Sequence, residues 1–115
     1  MPAMELRRGD VYVVDFDQTG GSLVKARPAI VVSVNLMNRY ASHITVIPTR
    51  SPEGKRMLPV HALIPAGDGG LRRDSLADAG HIATVRRDAL GVRIGRLGED
   101  SMRRVEAALR FYLSL

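Results

Sequence analysis

The sequence predicts a small, mainly β fold: a barrel of roughly six short strands closed by one C-terminal α-helix. Three observations carry that expectation. Runs rich in Val, Ile and aromatic residues recur between Gly- and Pro-bearing turn signals from Gly9 to Leu97. The hydrophobic period changes once, near the end, where Met102, Val105, Leu109 and Tyr112 recur at helical spacing with Ala108 and Leu113 beside them. A single helix is too little to cover a parallel α/β sheet.

In chain order, "GDVYVVDF" (Gly9 to Phe16) reads as the first strand, with Val11, Val13 and Asp15 on one face and Tyr12, Val14 and Phe16 on the other. "RPAIVVS", from Arg27, is the second, and Pro28 confines its start to a place that needs no ladder donor. "VNLMNRY" (Val34 to Tyr40) is a connector with room for one helical turn. "HITVIPT" (His43 to Thr49) is the third strand, ended by Pro48, and "RSPEGKR" (Arg50 to Arg56) a charged loop. "LPVHALI" (Leu58 to Ile64) is the next strand, with "PAGDGG" turning after it. "DSLADAGHIATV" (Asp74 to Val85) reads as one extended segment. "GVRIGRL" (Gly91 to Leu97) alternates cleanly, and Arg93 and Arg96 around Ile94 mark an edge or one-face-wet strand. The helix takes its N-cap from Gly98, Glu99 or Asp100, an acidic stretch that suits the positive end of the helix dipole.

Composition narrows the function. A chain of 115 residues without repeats, linkers or low-complexity tracts is expected to form one domain. With no cysteine, disulfides, thiolate nucleophiles and Cys-type zinc sites are excluded. Neither a signal peptide nor a run long enough to span a bilayer is visible, so the expectation is a cytoplasmic protein without membrane contact. Lys plus Arg outnumber Asp plus Glu by 17 to 12, and Lys25 and Lys55 are the only lysines. Arginine suits bidentate phosphate contact and stacking on bases, and the positive balance favours an anionic partner.

Candidate site residues are few. Arg27 heads an apolar strand and is fixed by Pro28. It is either a structural arginine bonding loop carbonyls or Asp15 and Asp17, or an anion binder approached by the loop carrying Gly20 and Gly21. Thr49 is either a strand-end hydroxyl serving its own turn or a site residue. Of three scattered histidines, His43 should begin a strand at the surface, His61 lies inside one, and His81 follows Asp78 by three. No pair has metal-ligand spacing, and nucleotide-binding glycine loops and GxSxG are absent.

The blocks "RRGDVYVVDFDQTGGS", "RPAIVVS", "VIPTRS", "LPVHALI", "GLRRDSLADAGHIATV" and "LGVRIGRL", followed by the helix, together resemble the MazF/PemK toxins of type II toxin–antitoxin systems. The resemblance spans residues 4–115. It implies a homodimeric SH3-like barrel of the CcdB, MazF and Kid type that cleaves single-stranded mRNA at short sequences, with no metal or cofactor. The RNA's own 2′-hydroxyl would attack, leaving a 2′,3′-cyclic phosphate and a 5′-hydroxyl. By this resemblance Arg27 and Thr49 hold the scissile phosphate. Gly21 and Ser22 of the preceding loop are candidates to meet the RNA; with few aromatics to stack on bases, so are Lys25, Arg50 and Arg56, which read equally as solvated loop charges. The implied partner is a cognate, MazE-like antitoxin whose acidic segment occupies the RNA groove.

The chain departs from the family at two places. The family loop commonly reads GSEQ-G-x-RP; here "GSLVKARP" has no glutamate, and Leu23 and Val24 cannot move protons. The usual Glu-Gln-Ile-Arg-Thr-Ile appears as "GHIATV". His81, with Asp78, is therefore the expected agent of proton transfer, a role for which imidazole is suited at neutral pH. Two competing readings remain: a gyrase poison acting through the terminal helix, and an RNA-binding barrel that has lost catalysis.

Overall fold

The computed structural model describes residues 5–16 and 26–115. Seven strands, β1 (Asp10–Val14), β2 (Arg27–Val31), β3 (His43–Arg50), β4 (His61–Ile64), β5 (Ser75–Asp78), β6 (Ala83–Arg86) and β7 (Leu90–Arg96), form an antiparallel sheet in which six follow the order β4-β5-β3-β2-β1-β7 and β6 pairs with β3 off that path. The short α1 (Asn35–Tyr40) links β2 to β3, and α2 (Glu99–Leu113) ends the chain. Among the described residues no strand pairing joins β4 to β7, so the sheet curls without closing.

Strand β3 is the spine. Its inner edge pairs with β2, from Ala29 opposite Pro48 to Val31 opposite Val46. Its outer edge is shared: His43 to Val46 pair with β6, while Thr49 and Arg50 pair with Ala77 and Leu76 of β5. Pro48 therefore does not end this strand as the sequence suggested. It sits between the two outer partners, where its missing N–H leaves no ladder bond unmade.

Two apolar clusters explain the unbroken "AIVV" run. Ile30 packs with Val11, Ile47, Ala62, Ile64 and Ala77 against Val105 and Ala108 of α2. Ala29 and Val31 face the other way, among Tyr12, Val14, Phe16, Ile44, Val46 and Val85. A central strand covered on both faces needs apolar residues at every position, so alternation vanishes. The predicted stripe of α2 holds at Val105, with Met102 and Leu109 partly buried, whereas Tyr112 is half-exposed.

The segment read as one extended stretch is two strands. Asp78 accepts a hydrogen bond from the Gly80 N–H and starts a single 3-10 turn, Ala79–His81, between β5 and β6. Leu58 to Val60 form a turn instead of extending β4, the Leu58 carbonyl accepting from the His61 N–H. β7 lies at an end of the sheet order with Arg93 and Arg96 exposed, as its alternation suggested. The N-cap of α2 is Gly98, whose N–H donates to Asp68 Oδ1 at 2.9 Å.

Candidate active site

Strand alternation assembles the site on one face. In β2, Arg27 shares the side of Ala29 and Val31; in β3, Arg50 shares that of Val46. The β2–β3 ladder runs from Val31–Val46 to Ala29–Pro48, and the Thr49 hydroxyl reaches the Pro28 carbonyl just beyond it, so Arg27 and Arg50 stand at the same end of neighbouring strands. Asp78 lies on this side too. Its neighbours Ala77 and Ala79 point into the helix-side cluster, which turns Asp78 away from it, and it pairs across β4–β5 with His61. Arg50 is thus the last residue of a strand, with its side chain 22% exposed, and not a solvated loop charge as first read.

Asp78 is the hub. Its carboxylate is buried, and Oδ1 accepts from the Gly80 N–H at 2.9 Å. A Cβ on residue 80 would stand 3.1 Å from that oxygen, so glycine lets the backbone approach this closely. Oδ2 faces three groups: His81 Nδ1 at 2.8 Å, Arg50 NH2 at 3.3 Å and His61 Nε2 at 3.9 Å.

The hydrogen bonds fix both imidazoles. A carboxylate only accepts, so His81 Nδ1 carries the proton and its Nε2 is left with a lone pair on a ring that is 45% exposed. His61 Nδ1 accepts from the Leu58 N–H at 3.1 Å, which places the proton of the neutral ring on Nε2, facing Asp78 across a gap too long for a hydrogen bond.

Two nitrogens are conspicuous. Nε of Arg27 and Nε of Arg50 are buried without a hydrogen-bond partner among the described residues. Two like charges at the same end of neighbouring strands, each with an unanswered donor, suit an anion.

Thr49 is placed differently. Alternation puts it on the Ile47 side of β3, and its buried hydroxyl donates to the Pro28 carbonyl at 2.8 Å. Donation to a phosphate requires that bond to be given up. Arg56 is exposed in the loop after β3 and joins no contact of this cluster. Gly21, Ser22 and Lys25 lie outside the described residues. The sequence pointed to His81 and Asp78 but missed His61 as their neighbour; only the pairing of "HALI" with "SLAD" reveals it.

Fold and site define a small antiparallel β protein with a cationic face holding an aspartate-oriented imidazole, the equipment of a protein that acts on an anionic polymer. The family model described as PemK-like, MazF-like toxin of type II toxin–antitoxin system matches residues 7–113. Endoribonuclease MazF9 of Mycobacterium tuberculosis is 34% identical over 116 residues, covering 96% of this chain and 98% of that protein. Endoribonuclease EndoA of Bacillus subtilis is 32% identical over 113 residues, with 97% of each chain covered. The solved structure of an endoribonuclease in complex with its cognate antitoxin, from a mycobacterial species, superposes with a TM-score of 0.80 at 26% identity over 96% of each chain. The chain belongs to the PemK-like, MazF-like toxin family.

Proposed function

We propose that Arg27, with the Asp78-oriented His81, makes this chain a nuclease that cuts single-stranded RNA by attack of the RNA's own 2′-hydroxyl. The chain is a toxin of a type II toxin–antitoxin system and an endoribonuclease. The observation that carries the mechanistic reading is the pair of buried, unpartnered arginine Nε atoms beside an imidazole whose Nε2 is open.

In the reaction, His81 Nε2 takes the proton of the 2′-hydroxyl as its oxygen bonds to phosphorus. The bond from phosphorus to the 5′-oxygen breaks, its electron pair leaves on that oxygen, and water supplies the proton that makes it a hydroxyl. The products are a 2′,3′-cyclic phosphate and a 5′-hydroxyl end, and His81 returns its proton to solvent. Negative charge grows on the phosphorane, and Arg27 is mounted to meet it: Pro28 fixes the backbone on one side, and β1 pairs Val14 opposite Arg27. A preorganised donor of this kind lowers the barrier by about 3–4 kcal/mol. Thr49 joins the phosphate only by rotating its hydroxyl off Pro28, a move between staggered wells.

The chemistry of partners follows. An antitoxin with an acidic segment suits the cationic face, and the similar mycobacterial toxin is held by its cognate antitoxin. A homodimer is supported by the exposed Leu36, Met37 and Tyr40 of α1, more apolar surface than one short helix ordinarily leaves in water. Among the described residues no helix is long and apolar enough to cross a membrane, and an mRNA substrate supports a cytoplasmic site of action.

The test is cleavage of a long single-stranded transcript by the purified protein in EDTA, beside Arg27→Ala. Discrete cuts that resist EDTA and vanish in the variant support the reading. Intact RNA with a folded protein overturns it in favour of a binder that has lost catalysis.

A further inference from the structure

Arg50 is held by a contact that satisfies it poorly. Its NH2 reaches Asp78 Oδ2 at 3.3 Å, longer than a charge-assisted hydrogen bond, on an oxygen that His81 already holds at 2.8 Å. The same NH2 stands 3.5 Å from His81 Nδ1, but that nitrogen is donating to Asp78 and has no lone pair to offer, so two donors meet there. Nε is buried and unpartnered. Arg27 carries a like charge at the same end of the neighbouring strand β2, two residues past the last β2–β3 pair. The backbone is fixed where Arg50 pairs with Leu76 of β5, so movement belongs to the side chain.

We propose that Arg50 is a second catalytic arm: it rests on Asp78 until RNA arrives, then moves onto a non-bridging oxygen of the scissile phosphate and leaves Asp78 to His81 alone. The inference rests on the nuclease reading above and extends it. A phosphodiester between Arg27 and Arg50 answers both vacant Nε donors and removes the like-charge opposition, because a planar guanidinium fork matches a pair of phosphate oxygens. One carboxylate oxygen then serves one donor, and the Asp78–His81 bond is undivided as the 2′-hydroxyl proton arrives. Phosphate binding and proton transfer are coupled through a single side chain.

The experiment compares wild type, Arg27→Ala, Arg50→Ala and Arg50→Lys at saturating protein on one mapped cut site of a long transcript. Affinity is measured in parallel for the DNA strand of the same sequence, which lacks the attacking hydroxyl. Thermal melts confirm that each variant is folded, and Arg50→Gln replaces Arg50→Ala if the latter is not. Arg50→Ala should lose about 10²-fold in rate, with affinity for the DNA strand falling by no more than roughly tenfold. Millimolar methylguanidinium should restore part of the lost rate, and Arg50→Lys should keep more than Arg50→Ala. A folded Arg50→Ala that cuts at nearly the wild-type rate overturns the proposal. So does a variant that loses rate and DNA affinity equally and gains nothing from methylguanidinium, since that arginine only supports the fold. If Arg27→Ala is dead while Arg50→Ala cuts normally, the inference fails alone. If wild type does not cut, or Arg27→Ala cuts as well as wild type, the nuclease reading fails with it.

Discussion

Two buried aspartates in this protein have nearly the same bonds and opposite characters. Asp10 is fully covered; one oxygen accepts from the Arg7 N–H at 2.9 Å, the other from Arg96 Nε at 2.8 Å and Arg93 NH2 at 3.3 Å. Asp78 is nearly as deeply covered, with a backbone N–H at 2.9 Å on one oxygen and side chains at 2.8 and 3.3 Å on the other. The difference lies in the partners. Arg93 and Arg96 stand on an end strand about half in water, which serves their remaining N–H groups. Arg50 is largely shielded, with a buried Nε that has no hydrogen-bond partner among the described residues. A buried carboxylate does not by itself mark a site; a shielded donor with unspent capacity does.

The comparison can be broken first at Asp10. Asp10→Asn should destabilise the fold by roughly 3 kcal/mol, toward the low end for a buried ion pair because both guanidiniums are screened. The rate per folded molecule should stay near wild type, checked by urea denaturation and by cleavage normalised to folded protein. It should also bring the Tyr12 phenol down, since burial and then the Asp10 charge hold that group above its ordinary value. His81→Gln should do the reverse, depressing cleavage at least tenfold with little change in denaturation midpoint; a full rate would remove His81 from the mechanism. Asp78→Asn should cost no more than His81→Gln, and the double variant no more than His81→Gln alone, because Asp78 acts through the imidazole.

The smallest effect concerns a third acid. Burial alone would raise Asp68, but hydrogen bonds from Ser101 and from the Gly98 and Gly69 N–H groups outweigh it and hold its carboxyl below the ordinary range. A carboxyl depressed in the folded state adds stability that is present above its unfolded value and is lost as pH falls through the folded one. Melts from pH 5 downward should therefore decline more steeply for wild type than for Asp68→Asn. The difference should be about 1 kcal/mol or less, and parallel curves would show that Asp68 contributes nothing.

What the sequence made legible follows from range. Local signals placed β1, β2, β7 and α2, because strand period, Pro28 and the helical stripe act over a few neighbours. Pro48 was misread because a proline stops a strand only where its N–H is needed, and that depends on which partner lies alongside. The same error placed Arg50 in a loop and hid its approach to Asp78. The proximity of His81 to Asp78 was readable at a spacing of three; that of His61 was not, since it depends on the β4–β5 register.

The place of Pro48 has one more consequence. Ile47 and Pro48 pair with β2 but with neither outer neighbour, so a seam runs across the outer edge of β3. On one side, β6 pairs with His43 to Val46; on the other, Thr49 and Arg50 pair with β5, which pairs with β4, and the connection from Ser51 to Val60 lies on this side. Residues can be gained or lost in that connection without shifting β6 by a single position. Descendants of such a protein can alter how they grip RNA while inheriting the frame unchanged.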